Sequence, residues 1–326
     1  MTKDKVTVVA GCAVDGEIYY ISCRLNNLPI DEPYSRLFFY QEKTKEKWFY
    51  HDRPDWKVVS ICLMPSTPTD ERAVCALSEE GDVEILKRSN TTVEKVTDAG
   101  LNNDNGLGYV TRIRSIAGEL YVCGDQNQIY KRNNGKWLHI DSGALTTNKP
   151  KFSGTASKNR AEIIEASNQE SCLFDIAGSR EDDIYAVGTN GCILHFNGKK
   201  WTRFKQISAS DLYEIHITPE NKLIIVGSKG TIISGNKDAG FKMESRKTLG
   251  ADFISITEHN NEIFIGASDG IYKKTENSVT RLPLDVFDVS NIESINNIMW
   301  ATSSRNILKY EGMQWSIIQH IDNTHT

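Results

Sequence analysis

The sequence predicts an all-β fold: a single β-propeller of seven four-stranded blades, with a polar loop inserted at 142–170. Three observations predict it. An apolar run ends in glycine or alanine and is followed 13 or 14 residues later by a tryptophan or an apolar stand-in: Gly124 to Trp137, Gly188 to Trp201, Gly227 to Phe241, Gly266 to Val279 and Ala301 to Trp315. Self-similarity of this kind marks a repeat architecture. Each unit also reads as short β-branched and aromatic runs divided by Gly, Asn and Asp turns, with hardly any helical periodicity. A lone four-stranded antiparallel sheet cannot cover both of its faces, so such units stack around an axis and cover one another.

Taken in order, the landmark positions are Trp48, Val93, Trp137, Trp201, Phe241, Val279 and Trp315, at intervals of 45, 44, 64, 40, 38 and 36. They divide one domain, 1–326, into blades at 5–54, 55–98, 108–141, 171–207, 208–248, 249–284 and 285–320. The first blade carries an extended middle turn, and the second fits with a longer offset. The fourth is the clearest copy, with strands expected at Leu173 to Ala177, Ile184 to Val187, Cys192 to Phe196 and Trp201 to Phe204. Its joints SREDD, GTNG and NGKK supply the positive φ angles that tight hairpins need. The long interval holds a polar stretch rich in Ser, Thr, Asn and Lys, read as an inserted loop with a short helix at Arg160 to Ala166. The run Val6 to Ala10 is long enough to join either the first or the last blade, so the manner of ring closure stays open.

Composition sets the class. With 326 residues, 39% hydrophobic and 25% charged, the chain is that of an ordinary globular protein. No stretch of about twenty apolar residues exists, and neither a signal peptide nor a membrane span is expected. The seven cysteines have no C-x-x-C spacing and sit mostly inside apolar runs, as packed small hydrophobes of a reducing compartment do. A cytoplasmic location is therefore expected. The net charge of −5 and the lack of any Lys/Arg-rich run argue against a nucleic-acid surface.

The run DIYAVGTNGCILHFNGKKW, echoed at 120–137 and 298–315, resembles bacterial propeller repeats of the BNR and YVTN type, which are WD-repeat-like. The likeness covers 108–318 well and the first hundred residues poorly. Sialidases and related hydrolases share such blades, usually with turns of the S-x-D-x-G-x-x-W kind. Here the turns read RNNGKW, FNGKKW and YEGMQW, which keep the glycine and tryptophan and lack the serine and aspartate. A hydrolase of that sort also needs clustered arginines and a tyrosine beside an acid, and the spacing of Arg112, Arg114, Arg180, Arg281 and Arg305 groups nothing.

No nucleophile elbow, zinc helix, phosphate loop or calcium loop is present, and no catalytic residue, metal or cofactor is expected. The glycine-rich segments GDQNQ, GTNG, GSKG and ASDG open no helix and read as hairpin turns. His195 and His216 alternate with apolar neighbours on strands, where a packed imidazole is the commoner state.

What stands out is acidic. Projected onto a ring, the connections between blades carry Asp52 and Asp55, Asp98 and Asp104, Asp141, Asp211, Asp252, and Asp285 with Asp288. Aspartate is a good turn residue and caps its own loop, which accounts for part of this pattern. A ring of them would also make an electronegative mouth that steers a cationic partner. Trp56, Tyr109 and Phe287 are placed to anchor such a partner, and each fits blade packing as well. The expected function is protein recognition without catalysis. Likeness to single-domain bacterial propellers implies an immunity-type protein that caps a basic toxin domain. A glycan hydrolase or lyase, or an assembly chaperone, is the alternative.

Overall fold

The computed structural model describes residues 5–101, 106–145, 171–244 and 250–324. Among them, 28 strands form seven four-stranded sheets, each made of four consecutive antiparallel strands. The blades run over residues 6–54, 58–95, 110–139, 173–203, 212–243, 253–281 and 291–319. Among the described residues helix is confined to three single 3-10 turns, Thr189–Gly191, Ser228–Gly230 and Ile321–Asn323.

Each landmark side chain lies on the fourth, outermost strand of its blade, from Trp48 in Trp48–Pro54 to Trp315 in Gln314–Gln319. Gly124, Gly188 and Gly227 end their second strands, Gly266 comes one residue before the end of its own, and close approach explains the first three. A Cβ on Gly124, Gly188 or Gly227 would overlap the carbonyl oxygen of Tyr109, Cys172 or Asp211, each in the connection that enters that blade. Only a residue without a side chain lets the connection cross there.

The core lies between the sheets. Seven buried apolar clusters exist, one at each seam between adjacent blades, so every sheet is covered by its neighbours. Full burial of one large apolar side chain contributes about 1.5–3 kcal/mol, and these clusters carry the stability of the ring. In six of the seven blades the register slips by one residue near the start of the innermost strand. Side chains there tie one blade to the next. Ser60 accepts from the Ile113 N–H at 3.2 Å, Asp175 from Ile215 at 2.9 Å and Ser255 from Ile292 at 3.0 Å, and in blade 7, which has no slip, Glu293 accepts from Ala13 at 2.8 Å.

Ring closure uses no shared strand. Val6–Ala13 pairs with Ile18–Leu25 inside the first blade, which settles the position of the N-terminal strand. The first and last blades meet through side chains and a C-terminal latch. Trp300 is fully buried, 5.3 Å from the Tyr19 ring, and donates to the Asp15 carbonyl at 3.0 Å. Asn323 accepts from the Val6 N–H at 3.0 Å and donates back to its carbonyl at 3.1 Å. His320 is buried against Phe38 and Trp48.

Of the expected insert, residues 142–145 pack between blades 3 and 4: Ala144 is buried, and the Ser142 carbonyl accepts from the Trp201 N–H at 2.9 Å. The rest of it, including the expected helix at 160–166, lies outside the described residues. All seven cysteines are free thiols, six of them buried, and burial pushes Cys123 up to about 12. No helix among the described residues is long and apolar enough to cross a membrane.

Candidate functional site

Because consecutive strands alternate in direction, the interblade connections and the turns between second and third strands gather at the same end of the ring. Backbone hydrogen bonds join them. Glu79 donates to the Lys57 carbonyl at 2.8 Å and its own carbonyl accepts from Val110 at 2.9 Å, so one turn bridges two successive connections. Ser268 does the same with Asp252 and Asp288, at 3.0 and 2.9 Å.

The aspartates on this face fall into two groups. Asp211 and Asp252 are engaged by turns. The Asp211 carboxylate accepts from the Asn190 N–H at 2.9 Å, and its own N–H donates to Ser228 Oγ at 3.1 Å. Asp252 repeats the pattern with Lys229 at 2.8 Å and Ser268 Oγ at 3.0 Å. Asn190 and Lys229 have left-handed φ of 54° and 56°, which turns their N–H groups toward the acids. Each of these aspartates therefore fastens the blade before it to the blade after it.

Asp98 and Asp141 are joined through one histidine. His139 Nδ1 lies 2.9 Å from Asp141 and Nε2 3.5 Å from Asp98, and the Asp141 hydrogen bond, opposed by burial, raises the imidazole above its ordinary value. A protonated His139 neutralises part of the charge there.

The second group is open to partners. Among the described residues, the exposed Asp55 and Asp285 hold no hydrogen bond or ion pair, and the exposed Asp288 carboxylate has one 3.4 Å contact, from Ser304 Oγ. Phe287, between the last two, is 55% exposed with the Arg281 guanidinium 5.7 Å over its ring. Trp56 and Tyr109 are half-buried. The Tyr109 N–H donates to Asp125 at 2.9 Å, and Arg53 lies 5.2 Å over the Trp56 ring. Leu101, 59% exposed, joins this face and was not singled out in the sequence, although a leucine in so polar a loop is itself a signal. Asp104 lies outside the described residues.

One acid sits elsewhere than expected. Asp52 is in the fourth strand of blade 1, which runs on to Pro54, and not in the connection. Arg36 grips it at 2.7 and 3.1 Å and holds its carboxyl below the usual range. The remaining acids put at least one aspartate on every connection between consecutive blades.

At the axis the structure groups two arginines that their spacing did not. Arg114 reaches Asp175 at 2.9 Å and also binds Glu214, while Arg112 lies 3.4 Å from Asp175 and donates to the Phe174 carbonyl at 3.0 Å. These side chains are neutralised by acids on blades 4 and 5, and the channel cavity that Arg114 and Glu214 help to line measures about 330 Å³. Arg180 pairs with Asp182 at 2.9 Å on the outside. No free arginine group for a substrate carboxylate is formed by these residues. Among the described residues no set of three or more His, Cys, Asp and Glu is arranged to hold a metal ion.

Comparison with known proteins agrees with the architecture. Residues 125–235 match the family described as photosynthesis system II assembly factor YCF48. The Immune protein Tsi7 of Pseudomonas aeruginosa is 22% identical over 274 residues, which span 82% of this chain and 81% of that protein. Among solved structures, the WD40 β-propeller domain of Doa1 superposes with a TM-score of 0.64 at 11% identity, covering 94% of this chain and 92% of that one. YCF48 bound to a D1 peptide gives 0.56 at 10% identity, covering 94% and 89%. The chain is a propeller of the BNR and WD-repeat-like kind. At this level the likenesses support a protein-binding propeller.

Proposed function

We propose that this protein is a non-enzymatic, cytoplasmic recognition module of the immunity type, which binds a basic toxin domain across its interblade face and neutralises it. The observation that carries the proposal is the open acidic set at the connections flanking blades 1 and 7: Asp55, Asp285 and Asp288, whose exposed carboxylates accept from no backbone N–H among the described residues, with Phe287 exposed between two of them. Exposed acids steer a cationic partner over about a Debye length, and an aromatic gives the short-range anchor that charge alone lacks. Likeness to a protein named for immunity over four-fifths of the chain supports this choice among binding functions. Asp98, Asp211, Asp252, Trp56 and Tyr109 complete the proposed face, with Asp211 and Asp252 shaping it more than touching the partner.

The test is binding of the product of the neighbouring gene, measured with purified components at about 50 and 300 mM salt. A stoichiometric complex that weakens with salt is expected. Reversing Asp55, Asp285 and Asp288 together to lysine is expected to weaken it at least tenfold with the fold intact; unchanged affinity would overturn the placement of the site. An assembly factor that holds a peptide is the second reading, favoured by the match of 125–235 to that family.

A further inference from the structure

We propose that the cleft between blades 1 and 2 is a separate docking site, which takes an extended acidic segment of a partner protein with one large apolar side chain seated in it. The two sheets splay toward their outer strands and leave a cavity of about 740 Å³, lined by Phe39, Phe49, Leu63 and Leu86 among others. That size is in the range of ligand pockets, about 300–1,000 Å³.

Strand alternation points Phe49, His51 and Arg53 toward blade 2, since His51 and Arg53 both reach Glu84 on its third strand. Phe49 pairs across the sheet with Phe39, yet stays 42% exposed because blade 2 does not close over it. Tyr20 also lines the cleft, and its buried hydroxyl has no hydrogen-bond partner among the described residues.

Two features select the guest. The lip carries Arg72, Lys87 and Arg88 against Glu71. Lys87 is paired with Asp70 and Arg72 with Asp15, whereas Arg88 is exposed and holds no acid among the described residues. An anionic group on the guest, beside its apolar one, would supply the partner that Arg88 lacks on this lip. The bordering strand, Trp48–Pro54, has seven residues, where the other outermost strands have three to six. It is the free edge of its sheet, so its outward N–H and C=O groups are open to an added strand. A free edge beside an apolar cleft suits a peptide in extended form better than a compact molecule.

Fluorescence anisotropy of the full chain with two fluorescein-labelled heptapeptides tests this: one with a phenylalanine flanked by glutamates, the other with lysines in their place. The glutamate peptide is expected to bind at least tenfold more tightly. Arg88→Glu and Phe49→Ala, both at exposed positions, are each expected to weaken it about fivefold with an unchanged unfolding midpoint, and to leave binding at the interblade face unaltered. Equal binding of the two peptides, no binding at millimolar concentration, or indifference to both substitutions would overturn the proposal. So would saturable binding of dodecanoate without either peptide, which would make the cleft a site for small amphiphiles.

Discussion

Blade 1 has two faces that are finished differently. Toward blade 7 it is dry and locked: Trp300 lies buried against Tyr19, His320 against Phe38, and Asn323 holds Val6 in both directions. Toward blade 2 the inner half packs around Ile61, Val58 and Leu37, while the outer half opens into the cleft and is crossed mainly by Glu84 with His51 and Arg53. A ring closed without a shared strand holds its ends mainly by side chains, beside one backbone bond from the Val8 N–H to the Ser304 carbonyl at 2.9 Å. The adjacent seam, relieved of that duty, keeps apolar surface that a partner can cover.

The sharpest test of this contrast is one truncation on each side. Trp300→Ala is expected to cost about 3–5 kcal/mol in urea unfolding, as removal of a buried indole from a packed seam does. Phe49→Ala is expected to cost less than about 1 kcal/mol, because much of its surface is already in water. Equal losses would show the outer half of the blade 1–2 seam to be as closed as its counterpart.

Glu84 tests the polar part of the open seam. Burial acts to raise its carboxyl, but the hydrogen bonds from His51 and Arg53 outweigh burial and hold it below its ordinary value. A carboxyl depressed in the folded state stabilises the fold above its unfolded value and loses that contribution as pH falls through the folded one. Glu84→Gln is expected to cost about 2 kcal/mol near neutral pH and to flatten the acid limb of the stability profile. An unchanged acid limb would show that Glu84 does not bind the two blades together.

On the locked side, Asn323→Ala removes a two-way backbone clasp and is expected to cost about 1 kcal/mol. The loss should appear first as faster amide exchange at Val6, measured by hydrogen exchange. Smallest of all, the single changes Asp55→Asn, which keeps a residue suited to the left-handed φ of 68°, and Asp285→Lys belong to neither seam and should move stability by less than about 0.5 kcal/mol. A larger shift in thermal unfolding would mean that these acids are structural, as Asp211 and Asp252 are.

Much of the fold was legible because its cause is local. The glycine at the end of each clear second strand, the turn after it and the apolar residue of the fourth strand lie within 14 residues of each other, and one unit repeats. Blades 1 and 2 were harder to read because longer turns, such as 26–33, blur that spacing. The candidate face was legible in outline, since an aspartate recurs at every connection. Its division into engaged and open acids was not. Asp211 is bound by Asn190, 21 residues back, and Asp252 by Lys229, 23 residues back. Asp52 belongs to a strand because Arg36, across the sheet, extends the pairing to Pro54.

The sequence by itself determined the number of blades, their four-strand plan and the place of the landmark residues, because hairpin turns and alternation act over a few residues. Only the tertiary structure decided how the ring closes, which arginines meet at the axis and where a seam stays open. Those outcomes depend on side chains brought together from distant parts of the chain, as with Trp300 and Asp15 or Asn323 and Val6. Contacts of that span leave no periodic trace in the order of residues.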